Sequence, residues 1–275
     1  MVGIYVKNYI CGHVVEVVSL EKLGGAIGRF RKIDKDNMLD EKTGEVIEVN
    51  HSNNRKEQLQ SLRSSVRKLR MIINANFCGG KNELFLTLTY AENMQDVKRL
   101  YRDYEVFYKR LKRVYKDYKF EYIAIPEPQK RGAWHLHVLL KENDGKYLYI
   151  PNDEVVERLW GQGFTKVRRV DEVDNVGAYV SAYLTDIIDE ETGKKCKGAR
   201  LYLYPSGMNL YRCSRGIKKP KVVEGDLGLS EECKVYEKEF EVIRDDEIVN
   251  RVVIKQYNMK RSKEESMYNK SNFFY

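Results

Sequence analysis

With 275 residues, 42% of them hydrophobic and 33% charged, the chain can bury a sizeable core as one elaborated domain or two. No apolar run approaches the roughly 20 residues of a membrane span, and the N-terminus lacks a signal-peptide pattern, so a membrane partner is not expected. A net charge of +8 and a pI of about 9.0 point to an anionic partner, nucleic acid first. The five cysteines (Cys11, Cys78, Cys196, Cys213 and Cys233) include no Cys-x-x-Cys pair and read as reduced thiols of a cytoplasmic protein.

Residues 1–50 carry short β-like pieces (Ile4–Val6, Val14–Val18, Val46–Val49) and read as an arm or small sheet. His13 and His51, at their edges, read as surface residues. Residues 53–75 predict a helix, because Leu59, Leu62, Val66, Leu69 and Ile72 or Ile73 recur at three to four residues. Its other faces carry Arg55, Lys56, Arg63, Arg67, Lys68 and Arg70 against one acid, Glu57. That charge is either a solvated face or a surface that tracks phosphates. Leu84–Thr89 reads as a buried strand, and residues 95–118 as a long helix striped by Val97, Leu100, Tyr104, Phe107, Leu111, Val114 and Tyr118.

Tyr122–Pro126 is the next strand, and Pro128–Ala133 is turn-like. Trp134–Leu140 follows as a strand in which His135 and His137 share a face, because strand side chains alternate. Taken alone, two such histidines are compatible with a wet strand face. A hairpin through Pro128–Ala133 changes the picture by bringing Glu127 back beside them as a third ligand. Two imidazoles and one carboxylate suit Mn²⁺, and Mg²⁺ less comfortably, whereas structural zinc would want cysteines at suitable spacing.

Asn152 or Asp153 caps a short helix ending near Trp160, with Gly161 suited to its C-cap, and Phe164–Val170 reads as a strand. The order over residues 84–170 is therefore β-α-β-β-α-β, an α+β ferredoxin-like core with a central antiparallel sheet and helices on one face. A further helix over about 174–188 places Tyr179 and Tyr183 one turn apart beside the stripe Val176, Val180, Leu184 and Ile187. Tyrosines so spaced commonly pad a helix interface. Beyond residue 190 the pattern loosens into a loop (Glu190–Lys195), a strand (Leu201–Leu203), a basic turn (Ser214–Pro220), a short strand (Val252–Ile254) and a mobile tail (Lys260–Tyr275). The expected organisation is an N-terminal arm and basic helix (1–80), a core (81–190) and a C-terminal extension (191–275).

Three stretches of that core resemble the rolling-circle replication initiators, the HUH endonucleases of small plasmids and single-stranded DNA phages. They are Phe85–Tyr90, then His135-Leu136-His137 with the preceding Glu127, then Gly177–Thr185 with its two tyrosines. The resemblance implies a metal held by His135, His137 and Glu127, and nucleophiles at Tyr179 and Tyr183. It implies cleavage and religation of single-stranded origin DNA through a 5′-phosphotyrosine link, with a free 3′-hydroxyl to prime synthesis. A phenol with its ordinary pKa of ~10 is a poor nucleophile at neutral pH, so a divalent ion that polarises the phosphate has an evident use. Members of the family often carry lysines just before the second tyrosine and three residues after it, where this chain has Ala182 and Asp186. Lys166 or Arg168 are the candidate substitutes, and with Arg63, Arg67 and Arg70 they are the candidate DNA contacts. No Gly-x-x-x-x-Gly-Lys-Ser/Thr loop occurs, so strand separation at double-stranded origin DNA is expected to need a host helicase, and synthesis a host polymerase.

Two rival readings use the same residues. A non-catalytic nucleic-acid-binding protein on a ferredoxin-like sheet would bind without metal and form no covalent link. Relaxases carry their tyrosine ahead of the histidines, and the related transposases are usually shorter with one tyrosine; both features run against this chain.

Overall fold

The structure is a computed structural model that describes residues 4–22, 30–34, 36–40, 43–48, 59–129, 131–171, 173–183, 187–188, 195–196, 203–205, 207–244 and 247–261. It divides into two compact units. One is built from the two ends of the chain (residues 1–53 and 220–275), the other from residues 54–219.

The first unit starts with β1 (Tyr5–Cys11) and β2 (Val14–Leu20), then β3 (Phe30–Lys32), β4 (Asn37–Asp40) and β5 (Val46–Glu48). The second holds α1 (Leu59–Asn76), β6 (Glu83–Leu88), α2 (Val97–Val114), β7 (Phe120–Pro128) and β8 (Trp134–Glu142). A wide helical turn over Asn152–Glu157 leads into α3 (Arg158–Trp160), followed by β9 (Thr165–Arg169), α4 (Val176–Tyr183), β10 (Ile187–Ile188), β11 (Lys195–Cys196) and β12 (Arg212–Cys213). The chain then returns to the first unit with β13 (Lys221–Glu224), β14 (Lys234–Arg244) and β15 (Glu247–Asn258). No helix among the described residues is long and apolar enough to cross a membrane.

The central sheet of residues 54–219 has the order β12-β7-β8-β6-β9. Its neighbours pair antiparallel throughout. Leaving β12 aside, this is the split β-α-β-β-α-β arrangement, with β8 and β9 flanking β6, so the fold is α+β with a ferredoxin-like core. Alternation along the strands sends two sets of side chains to opposite faces. Leu84, Leu86 and Leu88 of β6, with Leu136, Val138 and Leu140 of β8, pack with Leu100, Tyr104, Phe107 and Leu111 of α2 and Trp160 of α3. The 3–4 spacing of those α2 residues, and an Asp96 side chain accepting from Lys98 N at 2.8 Å and Arg99 N at 3.2 Å, account for that helix. Gly161 closes α3 in the left-handed region, as the sequence predicts.

On the other face Phe85, Ile123, Ile125 and Leu139 pack with Leu69 and Ile73 of α1 and Val176 and Val180 of α4. The expectation of helices on one face is therefore corrected. The sheet is covered on both, because β6, β7 and β8 are apolar at successive positions rather than alternately. Helix α4 also ends earlier than predicted. Its last helical residue is Tyr183, and Ile187 and Ile188 pair as strand β10 with β11, which takes in Lys195 of the expected loop. Leu203 lies outside any strand, while residues 201–202 and the predicted tail from 262 onward fall outside the described residues.

In the other unit, the sheet order is β13-β1-β2-β15-β14, so strands from the N-terminal arm and the C-terminal extension alternate in one antiparallel sheet. The expected short strand at Val252–Ile254 lies inside the twelve-residue β15, which pairs along its length with β14. Ile10, Val15, Cys233 and Tyr257 form its buried cluster. Separate N- and C-terminal elaborations thus become one body, through pairings too distant in sequence for local patterns to reveal.

Candidate metal centre and its surroundings

The β7–β8 hairpin sets the geometry. Gln129 N donates to Ala133 O at 2.7 Å and Gly132 N to Gln129 O at 2.9 Å, which fixes the register with Glu127 opposite His135 and Ile125 opposite His137. Opposite residues in an antiparallel pair share a face, so Glu127, His135 and His137 all project to the side covered by α1 and α4. Pro126 leaves the hairpin's ladder intact. Its carbonyl accepts from Tyr204 Oη at 2.8 Å, on the side away from β8, so the N–H it lacks is not one that β8 needs.

His135 Nε2 and His137 Nε2 lie 3.0 Å apart, and Glu127 Oε2 is 3.2 Å from the first and 2.9 Å from the second. Glu127 and His137 are buried and His135 is half-buried. Three lone-pair atoms at the corners of a nearly equilateral triangle are a donor set for one divalent ion. An ion about 2.1 Å from each atom would see any two of them at roughly 90°. Tetrahedral ligands would need to stand about 3.4 Å apart at the same bond length.

Burial pushes the Glu127 carboxyl upward, but the hydrogen bonds and charges of His135 and His137 together outweigh it and bring it to about 2. Burial holds His137 below the usual imidazole value; the hydrogen bond to Glu127 opposes this, and the charges of His135 and Arg168 add to it. At neutral pH the group therefore offers a carboxylate and, at His137, a neutral imidazole, the forms that bind cations.

Around the triangle the structure arranges two residues that carry no assigned role in the sequence reading. Phe85 of β6 stacks on the His137 ring, with centroids 5.3 Å apart and planes 9° from parallel. The edge of the same Phe85 ring meets Tyr179, centroid to centroid 6.0 Å at 73°. Thr87, two residues along β6, places Oγ1 3.3 Å from His137 Nδ1. On β9, Arg168 stands opposite Phe85 and Lys166 opposite Thr87. Both therefore share the imidazole face, and both are exposed.

Helix α4 is held over this face by a close approach to α1. Gly177 N donates to Asn74 Oδ1 at 2.7 Å, and a Cβ at Gly177 would lie 2.6 Å from Arg70 O. Only glycine permits that contact. Tyr179 thus reaches the imidazole side through Phe85 and lies no farther from His137 than those two ring separations combined. Tyr183 is in the last turn of α4, and its side chain falls outside the described residues. Arg67 and Arg70 are half-buried on α1, and the side chain of Arg63 falls outside the described residues. The exposed cation among the described part of that helix is Lys68.

Alternation along β6 already puts Phe85 and Thr87 on one face. The missing signal was which face, because that depends on pairing with β8 across the whole of α2.

Residues 83–187 match the family model for the replication-associated protein ORF2. The matched segment runs from β6 into β10 and contains the metal group, Tyr179 and Tyr183. The match supports a Rep-type protein with a role in DNA replication. No curated protein and no solved structure matches the chain.

Proposed function

We propose that this protein is a metal-dependent DNA endonuclease and strand transferase that initiates rolling-circle replication of a plasmid or phage, acting on single-stranded origin DNA. The observation that carries the reading is the common face shared by the Glu127, His135 and His137 donor triangle and the Tyr179 ring. Mn²⁺ or Mg²⁺ is the ion class favoured, because the donor spacing suits cis octahedral positions and leaves others open. Bound there, the ion supplies a Lewis acid for a non-bridging phosphate oxygen.

The residues divide the remaining work. The Tyr179 oxygen forms the new bond to phosphorus, the bond from phosphorus to the 3′ oxygen breaks, and the leaving 3′ oxygen gains a proton as the phenol loses one. The product is a 5′-phosphotyrosine and a free 3′-hydroxyl. Tyr183, one turn further on α4, is the second nucleophile that permits another attack while the first end is held. Arg168 and Lys166 border the site with positive charge for the strand's phosphates. Arg63, Arg67 and Arg70 on α1 extend that charge toward origin duplex, with a host helicase and polymerase completing the process.

Incubation with Mn²⁺ and single-stranded circular DNA should give an adduct that survives denaturation. Combined Tyr179→Phe and Tyr183→Phe substitution should abolish it while salt-sensitive DNA binding persists. An adduct in the double variant rejects the nucleophiles. Binding with no adduct under any divalent ion favours the non-catalytic reading.

A further inference from the structure

We infer that Thr87 is a positioning residue, which selects the tautomer of His137 that leaves Nε2 free to take a divalent cation. This rests on reading Glu127, His135 and His137 as a metal centre. A neutral imidazole carries one proton on one of its two nitrogens, and only the other can ligate.

At His137 the two nitrogens face different partners. Nε2 points at Glu127 Oε2, 2.9 Å away, and Nδ1 at Thr87 Oγ1, 3.3 Å away. The carboxylate, as an acceptor, favours a proton on Nε2, where it would block the cation. A hydroxyl oxygen accepting from Nδ1–H favours the opposite form. Thr87 therefore stands where it can tip that competition toward the ligating tautomer before the ion arrives.

Three features make the contact a fixed one. Thr87 is directly opposite His137 in the β6–β8 ladder, so the pair is set by strand register and not by a loop. Phe85 lies parallel against the His137 ring and holds its plane. Thr87 is β-branched, which restricts its χ1 and hence where Oγ1 points. His135 shows the contrast: its Nδ1 is buried with no hydrogen-bond partner among the described residues. The protein thus presets one imidazole of the pair and leaves the other to the ion.

The test is Mn²⁺ affinity of the full chain without DNA, read from the electron paramagnetic resonance signal of the free ion. Thr87→Val keeps the branch and the volume and removes the acceptor. It should weaken Mn²⁺ binding about tenfold, the low end for losing an outer partner of a metal-bound histidine. Thr87→Ser should restore affinity to within about twofold of the parent. Imidazole ¹⁵N spectra of the metal-free protein should show the His137 proton on Nδ1 in the parent and moved toward Nε2 in Thr87→Val. Should the valine form fail to fold, Thr87→Ala reads the same two quantities.

Unchanged or tighter Mn²⁺ binding in Thr87→Val overturns the proposal, since a hydroxyl donating to Nδ1 would favour the wrong tautomer. His135→Ala, measured in parallel, separates the two levels. Affinity lost in His135→Ala but kept in Thr87→Val overturns the role of Thr87 alone. Affinity kept in both overturns the metal centre with it.

Discussion

At His137, burial and the neighbouring charges depress the folded-state pKa below the ordinary imidazole value of about 6.5. Between the two values the unfolded chain binds the extra proton, so stability falls as pH drops through about 6.5 toward the folded value. Glu127 acts in the same sense lower down. Its contribution is present above the ordinary value of 4.5 and is lost as pH falls toward about 2. Urea midpoints should therefore decrease from pH 7.5 to pH 5.5, and by less in His137→Gln than in the parent; an equal decrease in both would remove His137 from the explanation. Mn²⁺ binding should weaken over the same interval, because protons compete for the ligating nitrogens. At this scale the sequence was informative where contacts are local. Glu127 and the two histidines lie on one hairpin, and turn residues between them set a register that can be read directly. Phe85 and Thr87 reach His137 only through a ladder closed across α2, and no local pattern specifies that pairing.

The contact between α1 and α4 decides where Tyr179 sits, and Gly177 is its narrowest point. An alanine there would gain at most about 1 kcal/mol of helix propensity, less in a first turn. Against this, the new Cβ would lie 2.6 Å from Arg70 O and 2.7 Å from Asn74 Oδ1, so the helices must separate. Overpacking of that kind costs about 1–3 kcal/mol, and the 2.7 Å bond from Gly177 N to Asn74 Oδ1 is strained with it. The clash wins. Gly177→Ala should lower stability by about 1–3 kcal/mol in urea unfolding and slow adduct formation, while Mn²⁺ affinity, set by β7 and β8, stays within about twofold. Parent-like stability and rate would show that α4 is not positioned through this contact. The same two helices explain why the sheet is covered twice. Leu84-Phe85-Leu86, Ile123-Ala124-Ile125 and Val138-Leu139-Leu140 are continuous apolar runs, a signal of two buried faces. The four-residue spacing of Tyr179 and Tyr183 was legible, but the end of α4 before Ile187 was not, because an isoleucine pair continues a helical stripe as well as it starts a strand.

At the scale of the whole chain, the first and last segments build a body of their own. Strand β1 lies between β2 and β13, and β2 between β1 and β15. Truncation after residue 219 would strip both outer neighbours and leave a two-stranded hairpin, which is marginal in water. We expect residues 1–53 of such a fragment to be cleaved rapidly in limited proteolysis, and a fragment of residues 54–219 to melt cooperatively by circular dichroism. Protection of the N-terminal strands in the truncated chain would contradict that pairing. Length and charge do not reveal this arrangement, since β1 and β13 are joined from opposite ends of the chain.

The most direct measurement is mass-spectrometric mapping of the nucleotide-linked peptide after reaction with Mn²⁺ and single-stranded origin DNA. A metal-centred tyrosine nuclease predicts the 5′-phosphate on Tyr179 or Tyr183, and no linked peptide when EDTA is present or His137 is replaced by alanine. Linkage at any other residue, or at these tyrosines without a divalent ion, would contradict it.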